Sequence, residues 1–136
     1  MATRNPVNAS TAAETPPLDP LRDPETVARR AAAVCEDAKA ETIRVYDARG
    51  HSILADFFVI CSGASDPHLR ALCNQVDQAL TKAGVRLYNI SGTPESHWII
   101  LDFGTIVVHV LNPEAREFYR LESLWQEMPV IYEGGA

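Results

Sequence analysis

The chain has 136 residues, of which 46% are hydrophobic and 22% charged, with a formal net charge of -6. That length and composition fit one folded domain and exclude wholesale disorder. The acidity disfavours a broad grip on nucleic-acid phosphates, which takes a basic surface, and suits a basic protein partner or a small ligand in a local pocket.

No apolar run approaches the roughly 20 residues that span a bilayer. The opening residues also lack a hydrophobic stretch of signal-peptide length, so no membrane association is expected. Cys35, Cys61 and Cys73 are odd in number and irregular in spacing, unlike a disulfide framework. These features point to a reduced, cytoplasmic protein.

Residues 1–22 are rich in Ala, Thr, Ser, Asn and Pro and read as a disordered extension. The domain is expected over 23–129, with 130–136 as a loose C-terminal tail. Asp23-Pro24 is a helix start, since aspartate accepts from free first-turn amides and proline suits the first helical position. Val27, Ala31, Val34, Cys35 and Ala38 then form one apolar stripe. Thr42–Asp47 alternates as a strand. Asp56–Cys61 carries Phe57-Phe-Val-Ile60, apolar on both faces, and predicts a central buried strand.

Asp66-Pro67 repeats the helix start, and Leu69, Leu72, Cys73, Val76 and Leu80 make the next stripe. Gly84 stops that helix. Val85–Ile90 reads as a strand. Trp98–Leu101 and Ile106–Leu111 flank Asp102-Phe-Gly-Thr105, which predicts a hairpin. Asn112-Pro113 starts a third helix, with Phe118, Leu121, Trp125 and Met128 expected on one side. The order α-β-β-α-β-β-β-α predicts an α+β fold: a mixed sheet of about five strands with helices packed on it.

Several motifs invite chemistry. The loop Ser62-Gly-Ala-Ser65 joins a strand to a helix and could cradle a phosphate. Asp66 and Pro67 at the helix start oppose that, one as an anion and one without an amide proton, so a structural turn is the better reading. Nucleotidyltransferase chemistry needs paired carboxylates on a neighbouring strand to hold metal ions, and Val85–Ile90 has none. Asp102-Phe-Gly104 matches the kinase magnesium tripeptide by letter, but the other kinase motifs are missing. Cys35 and Cys73 read as buried small hydrophobes. Cys61 and His68 suggest a thiolate pair only weakly, and Cys61, His68 and Cys73 do not match a zinc spacing. His109, mid-strand among valines, reads as a core histidine bonded to a neighbour. Trp98 and Phe103 divide evenly between core and interface.

Four segments carry a resemblance. They are Ala55–Ser65, Trp98–Gly104, Val107–Val110 and Glu114–Trp125. In that order and spacing the chain resembles the ribosomal silencing factor family, RsfS, also called Iojap-like, over roughly residues 24 to 129. Where the family usually has aspartate after the glycine of its Asp-aromatic-Gly turn, this chain has Thr105.

The resemblance implies a nucleotidyltransferase-like core without catalytic carboxylates, no enzyme activity and no cofactor or metal. It implies a factor that binds the large ribosomal subunit through the large-subunit protein numbered fourteen. There it would sterically block joining with the small subunit and repress translation, notably in starvation. Little direct nucleic-acid contact is expected, and the family allows a homodimer. Carried over by position, the partner-binding residues are Trp98, Asp102, Phe103, Glu117, Phe118 and Tyr119. The alternatives are a nucleotidyltransferase-like enzyme using the Ser62–Asp66 loop and a self-associating scaffold.

Overall fold

The computed structural model describes residues 17–135. Three helices and six strands form one mixed sheet. In chain order they are α1 (Pro24–Asp37), β1 (Glu41–Asp47), β2 (Phe57–Ser62), α2 (Asp66–Lys82), β3 (Asn89–Ser91), β4 (Trp98–Asp102), β5 (Ile106–Leu111), α3 (Pro113–Tyr119) and β6 (Val130–Gly134). Short 3-10 turns cover Pro94–Ser96 and Leu121–Trp125. The strand order is β3-β4-β5-β2-β1-β6, with β2 and β5 parallel and every other neighbour antiparallel. The α+β expectation therefore holds, with one more strand than predicted.

β2 and β5 are buried at every residue. Such strands need cover on both faces. On one face α1 supplies Val27, Ala28, Ala31, Ala32 and Cys35, and α2 supplies Leu69, Leu72, Val76 and Leu80. They pack on Ile43, Val45, Phe57, Val59, Cys61, Ile99, Leu101, Ile106, Val108 and Val110. The opposite face carries a second, smaller cluster built on Tyr46, Phe58, Ile60, Val107, Leu111, Trp125 and Met128.

The helix starts follow local chemistry. Asp23 caps α1, its side chain accepting from Thr26 N at 3.3 Å, with Pro24 in the first turn. The cap of α2 is Ser65, one residue before the expected Asp66, and its hydroxyl accepts from His68 N. That leaves the Asp66 carboxylate free to pair with His97 at 3.1 Å.

Four expectations are corrected. Of the strand expected at 85–90, only Asn89 and Ile90 fall within the observed Asn89–Ser91; Val85 N donates to Leu80 O at the end of α2 and is lost to the ladder. The third helix stops at Arg120, which is left-handed at φ 50°, and the chain continues as a 3-10 turn. That break turns Trp125 into the sheet and leaves Phe118 79% exposed, not beside it as expected.

The expected tail at 130–136 instead contains β6, which pairs with β1 through Ile43–Gly134, Arg44–Glu133 and Val45–Tyr132. Tyr132 OH donates to the Glu36 carboxylate on α1. At the other terminus, Leu18 N donates to Ala83 O and Pro20 O accepts from Thr105 Oγ1, so the chain is tied to the domain from Leu18 onward. The disorder expected for 1–22 otherwise falls on residues 1–16, outside the described residues.

Truncation after Pro129 therefore removes a sheet strand and uncovers the β1 edge. We expect a loss of at least about 2 kcal/mol, or roughly 8 °C in Tm for a domain of this size. Differential scanning calorimetry would read it, and an unchanged Tm would show that β6 adds nothing to the fold.

Candidate partner-docking face

The smaller cluster depends on one half-buried carboxylate. Glu122 Oε1 accepts from Arg116 Nε at 2.8 Å. Its Oε2 accepts from Tyr46 OH at 2.6 Å and from Arg44 Nη1 at 3.0 Å. Arg116 Nη1 also donates to Thr42 O at 2.6 Å and Ser62 Oγ at 3.0 Å. Thr42 sits in the bulge of β1, with φ 45°, where the register against β2 shifts. Burial pushes the Glu122 carboxyl up, but the hydrogen bonds and charges of Arg116, Tyr46 and Arg44 outweigh it and hold the group at about 2.

This hub pins the Leu121–Trp125 turn onto the sheet. Trp125 then stacks on Phe58, with ring centroids 4.6 Å apart and planes within 5°. His109 lies beside both rings, at 5.9 Å from Phe58 and 5.4 Å from Trp125. It is buried, as expected of a core histidine, and its Nδ1 accepts from Trp98 Nε1 at 3.1 Å. Burial lowers its imidazole to about 4. Trp98 in turn meets Tyr119 at 4.9 Å, and Tyr119 meets Phe118 at 5.0 Å.

A row of rings thus runs from the buried Phe58–Trp125 pair outward to the surface. Tyr119 is 52% and Phe118 79% exposed. Glu117 adjoins them on α3, and Glu114 lies one helical turn before Phe118. The loop ahead of Trp98 is closely set. A Cβ at Gly92, whose φ is +84°, would stand 2.1 Å from Trp98 O, and Ser96 Oγ donates to that carbonyl at 3.0 Å.

The structure therefore brings Trp98, Glu117, Phe118 and Tyr119 together. It does not bring Asp102 and Phe103 to them, because four strand steps of about 3.3 Å separate Trp98 from Asp102. Phe103 is 1% exposed in the main core and has no surface to offer a partner. Alternation carried the signal: Ile99, Leu101 and Phe103 share the helix-covered face, and Trp98, Ile100 and Asp102 the other. Asp102 Oδ1 accepts from Gly104 N at 2.8 Å and shapes the hairpin turn. The roles of Glu122, Arg44 and Arg116 were not legible, since their pairing spans α3, β1 and the 3-10 turn.

The other candidate chemistry is committed to structure. Gly63 N donates to Leu111 O, and Ala64 N to His68 Nδ1. Those amides are not free for a phosphate. His68 Nε2 bonds Ala38 O, not Cys61. Cys61 is fully buried, 3.7 Å from the Cys35 sulfur, and that contact together with burial pushes its thiol up. Cys73 is half-buried, less enclosed than its place in the stripe predicts, and burial raises its thiol to about 12. A hollow of 210 Å³ lies beside the carboxyl ends of β2 and β5, lined by Glu41, Thr42, Ser62, Arg116, Glu117 and Glu122. Ligand pockets are usually about 300–1,000 Å³, and three carboxylates repel a nucleotide phosphate.

A family model described as ribosomal silencing factor during starvation matches residues 21–135. The chain belongs to the ribosomal silencing factor family. It is 35% identical to the ribosomal silencing factor RsfS of Bacillus subtilis over 106 residues, which is 78% of this chain and 90% of that one. It is 38% identical over 73 residues to a mouse protein named for mitochondrial assembly of the ribosomal large subunit, covering 52% of this chain and 32% of that one. A crystal structure of a Chromobacterium violaceum protein superposes with a TM-score of 0.72 at 30% identity, covering 82% of this chain and 94% of that one. No helix among the described residues is long and apolar enough to cross a membrane.

The hub contributes to the silencing-factor fold's response to acid. The Glu122 carboxyl is depressed from 4.5 to about 2, so its stabilisation is full above pH 5 and is lost as pH falls from about 4.5 to 2. It is worth up to about 3 kcal/mol. His109 acts in a separate window: its neutral form is favoured in the fold, so stability falls as pH drops from about 6.5 to 4. Urea unfolding from pH 7 to 2 should show both losses in wild type. Glu122→Gln should be less stable at pH 7 and should make only the lower window shallower, since hydrogen bonds also hold the Asp23, Glu36 and Asp47 carboxyls below their usual values; an unchanged profile below pH 4.5 would contradict this assignment.

Proposed function

We propose that this chain docks on the large ribosomal subunit through its protein numbered fourteen and sterically blocks joining with the small subunit. The consequence is repression of translation in the cytoplasm, above all in starvation. Membership of the silencing-factor family supports the reading. So does the likeness to the mouse protein named for mitochondrial assembly of the ribosomal large subunit. The observation that carries it is the run from half-buried Trp98 to exposed Tyr119 and Phe118 beside the Glu114 and Glu117 carboxylates.

Aromatic side chains supply large apolar area to an interface centre, where single anchors often cost about 2 kcal/mol or more when truncated. Carboxylates at the rim pair with Lys or Arg and steer encounter more than they add affinity. A net charge of -6 suits a basic ribosomal protein and keeps the factor off RNA phosphates. No catalysis is needed. A folded body at the joining face occupies volume that the other subunit requires, and its effect scales with occupancy.

Co-sedimentation with separated subunits tests the proposal. Wild type should pellet with the large subunit and not the small one, and should inhibit joining. Tyr119→Ala combined with Trp98→Ala should weaken large-subunit binding at least about tenfold, or about 1.4 kcal/mol, in protein whose melting shows it folded. Equal pelleting with both subunits, or unimpaired joining at saturating protein, would sink the proposal.

A further inference from the structure

Trp98 and His109 sit on neighbouring antiparallel strands. Trp98 stands opposite Leu111 and Ile100 opposite His109, so Trp98 and His109 are diagonal neighbours on one face. Diagonal partners are within reach of aromatic side chains. We infer that His109 is a positioning residue for docking: its Nδ1 accepts the indole Nε1–H of Trp98 at 3.1 Å and holds that ring in the orientation a partner meets. The inference rests on the reading of the Trp98 face as the docking face.

β5 is otherwise Ile106, Val107, Val108, Val110 and Leu111, all buried. A buried polar ring costs stability unless its polar atoms are bonded. Among the described residues the imidazole has one hydrogen-bond partner, the Trp98 indole. A valine or leucine, like the rest of the strand, would give Trp98 no acceptor. What histidine adds here is the bond to Trp98.

The geometry makes His109 a rigid acceptor. It is 7% exposed and enclosed by Phe58, Trp125 and Trp98, with ring centroids 5.4 to 6.0 Å away. Phe58 and Trp125 are themselves stacked and buried. Accepting at Nδ1 requires the neutral ring with its proton on Nε2. Burial, which lowers this imidazole to about 4, keeps that form at neutral pH. Trp98 then positions Tyr119 through the ring contact at 4.9 Å. Fixing the indole before encounter removes an ordering cost from binding. For one rotamer-rich side chain that cost corresponds to roughly three- to tenfold in affinity.

The test uses the full chain and purified large subunits. His109→Phe keeps an aromatic ring and removes the acceptor; His109→Asn places an oxygen near the position of Nδ1. Three readouts are taken: affinity for the large subunit, the indole Nε1–H resonance of Trp98, and thermal melting. His109→Phe should move the resonance and weaken binding three- to tenfold with melting close to wild type. His109→Asn should return both resonance and affinity toward wild type. In a Trp98→Ala background, His109→Phe should cost no further affinity.

Wild-type affinity in folded His109→Phe would overturn the inference while leaving the proposed function intact. Equal losses in His109→Asn and His109→Phe, or an undiminished loss in the Trp98→Ala background, would also overturn it, since the effect would then be general packing. Absence of large-subunit binding by wild type would remove both readings together. If His109→Phe does not fold, wild type still decides. The Trp98 Nε1–H should be protected from solvent exchange in the free protein, and fast exchange would overturn the inference.

Discussion

The two parallel strands Phe57–Ser62 and Ile106–Leu111 are buried along their whole length, so both faces of the sheet centre must be covered. One face meets this demand with two long helices of 14 and 17 residues. The other has only a seven-residue helix and a five-residue 3-10 turn. So little backbone leaves the covering to large side chains. Tyr46, Phe58, Trp98 and Trp125 provide it, each burying far more area than an aliphatic residue. A thin cover must also be pinned, and the Glu122 hub does so by tying the 3-10 turn to two arginines and a tyrosine.

The exposed aromatics follow from the same constraint. The cover changes from α-helix to 3-10 turn at left-handed Arg120, and Tyr119 and Phe118 lie just before that break. Their rings continue a buried row into solvent. The interior end of the row is held by stacking and by the Trp98–His109 bond, which gives the exposed end a defined orientation. Pre-organised aromatic area beside carboxylates is a physical basis for recognising a basic, partly apolar protein surface. The Ser62–Asp66 loop offers little to a phosphate, since its Gly63 and Ala64 amides are spent on Leu111 and His68.

Much of this was legible before any coordinates. Asp-Pro and Asn-Pro pairs marked helix starts because their chemistry is local. The run Phe57–Ile60 marked the sheet centre because both of its faces are apolar. What failed was non-local. Val130-Ile-Tyr-Glu-Gly ends in glycines and looks like a tail; it becomes a strand because β1 offers a free edge and Glu36 offers Tyr132 an acceptor. Arg120 breaks a helix that the apolar spacing of Phe118, Leu121, Trp125 and Met128 suggested was continuous. Of the candidate face, Trp98 and Tyr119 were named from the family resemblance and the structure brings their rings together, whereas the placement of Phe103 needed the alternation of β4 to be followed one residue past its end.

The central claim is that this aromatic surface faces one ribosomal protein. A photoreactive benzoylphenylalanine in place of Phe118, already 79% exposed, probes it with little disturbance of the fold. After irradiation with purified large subunits, mass spectrometry identifies the adduct. The account predicts cross-linking to the large-subunit protein numbered fourteen, lost on competition with unlabelled wild type. A competed adduct on ribosomal RNA, or on any other ribosomal protein, would contradict it.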